Sequence, residues 1–223
     1  MKKIMLLLLP AVLLLSGCSR CGKNVHLGDF SLINDTRDDW YPYRDVSTLT
    51  FTNGSGAQIT LSRQEREETI RYVPFREICT EGWADTSEEF YRGEWLQTIY
   101  SGTFSNITYR LGIIVSVEHL FNYPSLVLYD RAAYSSYVAG VGQGTAVGGS
   151  VNILASKRGN SFNPNELPEF DTPDFASVIE INGKNYSDVW YFDRQGTPSL
   201  YVQQGYGIIA FAGLNNEVWV LKP

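Results

Sequence analysis

The sequence is short of the side chains that most chemistry needs. It holds only two histidines and three cysteines in 223 residues. A zinc site calls for Cys and His clustered at close spacing. His26 follows Cys21 in the sequence, but no second pair completes a ligand set, so no metal and no other cofactor is expected. No G-x-S-x-G elbow is present. The surroundings of Cys79, "REICTEGW", carry no cysteine-hydrolase signature, although His119 is available as a distant base. Glu67/Glu68 and Glu88/Glu89 are sequence neighbours, which a strand sends to opposite faces, so neither pair forms a ready dyad. No catalytic residue is assigned.

Positive charge is also scarce. Lys and Arg total 18 against 24 Asp and Glu, a net charge of −6 that becomes −8 without Lys2 and Lys3. An acidic chain with no basic stripe is a poor match for a phosphate backbone, which excludes nucleic acid as a partner. Gly140, Gly142 and Gly144 are followed by no Lys-Ser/Thr pair, so they read as a flexible β loop and not a phosphate loop. Asp35, Asp38 and Asp39 lack the Gly and distant Glu of a calcium loop and read as a solvated acidic turn. Only one long apolar run exists, Ile4 to Leu15, and it falls short of the roughly 20 residues that span a bilayer as a helix.

That run has the order of a secretory signal: Lys2 and Lys3, then the apolar stretch, then small residues. It ends in "LSGC", Leu15 to Cys18, which resembles the lipobox of bacterial lipoproteins. The resemblance implies a cut before Cys18, a diacylglycerol on its thiol and acylation, commonly with palmitate, of its new amine. Residues 1–17 are then a signal peptide and Cys18 the lipidation site. Two or more acyl chains, at about 0.8 kcal/mol per buried methylene, anchor a protein stably. The partner implied is a membrane, reached through Cys18. Ser19 stands where an Asp would mark inner-membrane retention, and "SRCGKN" is not an acidic run. In that family this pattern implies the outer membrane and its periplasmic face.

What the chain has in plenty is aromatics and turn formers: 13% Phe, Trp and Tyr, with 20 glycines. These favour strands. Residues 18–45 read as a lipidated N-terminus and tether. Residues 46–62 read as a hairpin about "NGSG". "RQEREET" (63–69) reads as a loop or a helical turn, and Pro74 suits a strand end or an edge. Strands are expected at 106–118, at "PSLVLYD" and at 146–156, the last with a bulge at Gly148 and Gly149. Residues 157–174 hold three prolines and no periodicity, a long surface loop. The tail reads as a meander turning at Asn182–Gly183, with "GYGIIAF" buried. Its "INGKNYSDVWYF", "YVQQGYGIIAF" and "NEVWVL", like the "FTNGSGAQITL" hairpin, resemble uncharacterised Bacteroidota envelope lipoproteins, which implies a location and a β fold but no residue roles. The fold expected is all-β, a single domain over 46–223, antiparallel; a two-sheet sandwich and an open barrel fit equally.

Two features remain. With Cys18 acylated, Cys21 and Cys79 are an even pair in an oxidising compartment and are expected to form a disulfide. Trp83, Trp95 and Trp190 are candidate ligand-contact aromatics, able to stack on sugars or line an apolar cavity. The function expected is a membrane-anchored envelope lipoprotein acting as a non-enzymatic binding or structural module toward an envelope protein, a glycan or an apolar ligand. A β half-barrel lipid carrier and an envelope hydrolase with an unrecognised carboxylate site are the alternatives.

Overall fold

The computed structural model describes residues 21–81, 85–120, 126–140, 146–158, 173–194, 197–214 and 217–223. Twelve strands and one helix follow in order: β1 (Val25–Phe30), α1 (Asn34–Trp40), β2 (Thr48–Asn53), β3 (Gln58–Glu81), β4 (Asp85–Phe104), β5 (Ile107–His119) and β6 (Leu128–Gly140). Then come β7 (Ala146–Lys157), β8 (Asp174–Ile181), β9 (Lys184–Arg194), β10 (Thr197–Gln203), β11 (Gly207–Ala212) and β12 (Val218–Leu221). All belong to one sheet, so the fold is all-β and antiparallel. Its order is β7-β6-β5-β4-β3-β2-β12-β11-β10-β9-β8, with β1 added to β4. Two meanders, β2 to β7 and β8 to β12, are thus joined where the last strand pairs with the first of them: Trp219 faces Asn53 and Leu221 faces Phe51.

Contacts cluster into two compact units, Met1–Gly28 with Tyr72–Tyr91, and Asp29–Arg71 with Arg92–Pro223. In the larger unit the sheet curls into a half-barrel. β7 returns over β9 and β10, so the choice between sandwich and barrel falls to one curled sheet. The approach is close enough that a Cβ on Gly149 would strike Ser199 and Phe192. Gly148 and Gly149 therefore serve contact and not a bulge; the irregularity between β6 and β7 lies at Asp130–Arg131 instead.

The inside of the curl is aromatic. β5 alternates as a half-buried strand should, with Tyr109, Leu111, Ile113, Val115 and Val117 buried. Phe211 meets Phe51 edge-on at 5.0 Å, and Trp219 meets Tyr109 at 5.7 Å. β11 is buried at all six positions, which is why "GIIAFA" runs apolar without alternation.

Two local expectations change. The stretch 63–69 is strand and not a loop; Pro74 lies within the same long β3, past the Gln58–Ser62 stretch that pairs with β2, and so on an edge. Arg71 pairs with Glu67 at 2.7 Å and Arg66 with Glu68 at 2.6 Å, so charged side chains line the strand without apolar alternation. The lead-in is no tether from Val25 onward. β1 and α1 form, and Trp40, Tyr41 and Tyr43 are buried. The Leu32 amide donates to Glu94 and the Ile33 amide to Asp130, each at 2.8 Å. Asp130 is itself fully buried and ion-paired with Arg158 at 2.7 Å. Residues 159–172, most of the expected loop, lie outside the described residues.

Tyr43 shows how tightly this segment is set. Its hydroxyl donates to the Tyr206 carbonyl at 3.2 Å and accepts from the Ile208 amide. Burial pushes the phenol well above its usual range, so it stays neutral and can do both. The ring occupies the space a side chain at Gly207 would fill, and Gly207 has φ +71°. Gly207→Ala is therefore expected to cost about 3 kcal/mol, from left-handed backbone strain plus overpacking. Chemical denaturation of wild type and variant measures it; a loss below about 1 kcal/mol would mean that Tyr43 yields.

Candidate functional site

The hairpin turn at Asn182–Gly183, with φ of 50° and 78°, sets the register of β8 on β9. That register places Phe175 opposite Trp190. Their rings lie 5.0 Å apart, and Phe175 is 53% exposed. Trp40, from the end of α1, supports Trp190 edge-on at 5.1 Å. One side chain in the pair is thus held firmly while the other faces solvent.

Polar groups surround this pair. Asp39, Asp188, Gln203, Gln204 and Gly205 share with Phe175 and Trp190 an open depression of about 500 Å³. The Gln204 amide donates to the Asp39 carboxylate at 2.7 Å, and the Gly205 N–H donates to the Asp39 carbonyl at 2.7 Å. The Gln203 amide donates to the Ser187 carbonyl at 2.9 Å. The two bonds to Asp39 fix the β10–β11 turn against α1, and the third holds Gln203 to β9.

Asp188 stands out in its backbone. Its φ is +52° within a strand. The other described non-glycine residues with positive φ, Ser105, Asn106 and Asn182, sit in tight hairpin turns. Such a conformation costs on the order of 1 kcal/mol, and such strain gathers where function holds a side chain in place. Here it carries a carboxylate into the depression beside Trp190.

The expected site residues fall out as follows. Trp190 is in the depression. Trp95 lies elsewhere in the larger unit with the Arg71 guanidinium stacked over its ring at 4.0 Å, so that face is already taken. Trp83 and Cys18 lie outside the described residues. Cys21 and Cys79 are joined in a disulfide. Cys79 therefore has no free thiol, which removes the pairing of a Cys79 nucleophile with His119. Burial lowers the pKa of that histidine.

Phe175, Asp188, Gln203 and Gln204 were not singled out from sequence, and Asp39 was read only as part of a solvated acidic turn. The turn dipeptide alone could have paired Phe175 with Trp190, by counting back from Asn182–Gly183. Nothing local tied Asp39 to Gln204 across 165 positions. Asp35, Asp38 and Asp39 are helical and not a turn, and no group of three metal-ligating side chains converges among the described residues.

Two further depressions among the described residues are open. One, about 390 Å³, surrounds Gly112 with Arg110, Ile114 and Tyr137. The other, about 300 Å³, lies between Lys184, Tyr206 and Leu221. Neither joins a ring pair to carboxylates and amides. No protein-family model matches the chain, and neither curated proteins nor solved structures yield a match.

Proposed function

We propose that this chain is a lipid-anchored envelope protein that binds a glycan through the Phe175–Trp190 depression. The observation that carries the binding reading is the exposed ring pair set among two carboxylates and two amides. A pyranose has an apolar C–H face and a rim of hydroxyls. The rings suit the first; acceptor carboxylates and the carboxamides suit the second. The anchor rests on the sequence order ending in Cys18.

The depression also selects. Asp39 and Asp188 make it acidic, which disfavours uronate and other anionic sugars and favours neutral or amino sugars. The reading prefers a surface site to an internal lipid cavity because large side chains fill the described interior. Tyr100, Tyr109, Tyr134, Phe51, Phe211 and Trp219 are all fully buried.

The test is tryptophan fluorescence and calorimetry with neutral, amino-sugar and uronate oligosaccharides. Neutral or amino-sugar chains are expected to bind, and uronates are not. Phe175→Ala is expected to weaken binding about tenfold, since an exposed aromatic contact at a binding centre is worth about 1.4 kcal/mol. Equal affinity in Phe175→Ala would remove the site. New reducing ends during incubation, abolished by Asp188→Asn, would convert the reading to hydrolysis.

A further inference from the structure

The smaller unit joins β1 to the distal parts of β3 and β4. Two of its described acids are held by neighbours. Arg76 pairs with Glu89 at 2.5 Å, and the Tyr72 hydroxyl donates to Glu88. Phe90 is stacked between His26, at 5.0 Å, and Tyr72, at 4.4 Å. Among the described residues of this unit, three large apolar side chains are turned to solvent: Val25, Tyr72 and Ile78, exposed by 44%, 46% and 50%.

The disulfide places one of them. Cys21 and Cys79 have Cα atoms 5.6 Å apart. Cys21 is three residue steps from Cys18, and an extended chain covers at most about 3.6 Å per step, so about 11 Å in all. Whatever path those residues take, the Cα of Cys18 lies within about 16 Å of that of Cys79. Ile78 is the neighbour of Cys79. Tyr72 is six residues further along the same strand, up to about 20 Å more distant.

We propose that the Cys79 end of this arm lies against the phospholipid surface, with Ile78 as its lipid contact. This rests on the reading that Cys18 is acylated. A diacylglyceryl group on Cys18 puts its glycerol among the headgroups, a layer roughly 6 Å deep in each leaflet. The disulfide then denies the arm the distance it would need to stand away. The ion pair and the Tyr72–Glu88 hydrogen bond partner Glu89 and Glu88, and strand alternation turns Glu77, the exposed neighbour of Ile78, to the opposite face.

The test uses the full chain, with its leader, made in a bacterium that acylates lipoproteins. It is reconstituted in phosphatidylethanolamine–phosphatidylglycerol vesicles. A benzophenone amino acid replaces Ile78, Tyr72 or, for comparison, the exposed Val178 of the larger unit. After irradiation, mass spectrometry counts lipid adducts and reads the acyl state of Cys18. Position 78 is expected to give several-fold more adduct than 178, with 72 below 78. In Cys21→Ser/Cys79→Ser, still acylated, the yield at 78 is expected to fall several-fold. An acylated, disulfide-bonded protein with no excess at 78, or an undiminished yield in the double variant, overturns the lipid contact. An unmodified Cys18 overturns the anchor reading first, and this inference with it.

Discussion

Phe211→Asp is expected to leave the larger unit without a cooperative fold. Phe211 is fully buried in β11, a strand with no exposed position. It packs edge-on against Phe51 of β2 and against Tyr109 of β5. Those strands belong to the first meander and β11 to the second, so the contact joins the two halves of the curl. Truncating a buried Phe costs about 3 to 5 kcal/mol through lost burial and the cavity left behind. The carboxylate adds a buried charge with no described cation beside the ring, worth several kcal/mol more unless it takes up a proton. The sum exceeds the roughly 5 to 15 kcal/mol of a typical domain at its lower end and consumes most of it elsewhere. Phe211→Leu keeps apolar volume and should unfold cooperatively at lower denaturant. Near-ultraviolet circular dichroism and denaturant titration read both. A Phe211→Asp protein with an unchanged midpoint would show that the ring is not in the core.

Removal of the disulfide should act on the smaller unit. Cys21 and Cys79 are 58 positions apart, and both lie in that unit. Closing a loop of this size stabilises by about 4 kcal/mol in the chain-entropy account, less any native strain. The smaller unit is a few strand ends, too few residues to bury a core that would hold it unaided. Reduction, or Cys21→Ser/Cys79→Ser, is therefore expected to open β1 and the arm spanning Tyr72–Tyr91 to protease. Arg76 is the most exposed member of its ion pair and a natural trypsin site. The larger unit holds Phe51, Phe211 and Trp219 and is expected to keep its own unfolding transition. Limited trypsin digestion of oxidised and reduced protein, with cleavage sites read by mass, decides it. Equal resistance in the two states would mean that strand pairing alone secures the arm.

The sequence by itself determined the β class, because aromatics, glycines and two-residue turns recur at strand spacing. It determined the tail as well: "NG" at 182–183 admits a tight hairpin, and "GIIAFA" is apolar enough for a strand buried on both faces. An even pair of cysteines left one candidate bond, and the structure contains that bond. Sequence failed where a local rule met a distant partner. "RQEREET" carries too much charge to look like a strand, and it becomes one through its neighbours in the sheet and ion pairs along its length. Tyr41 and Tyr43 looked like tether residues. Only the curl offers Tyr41 the Thr98 hydroxyl and Tyr43 the backbone of β11. The candidate site has the same division. Trp190 was visible as an aromatic and Phe175 follows from the turn. Asp39 reaches them only because α1 packs where the β10–β11 turn can take hold of it. Strand pattern is a property of neighbours in the chain. The site depends on which remote backbone groups find hydrogen-bond partners when the sheet curls, and no local pattern encodes that.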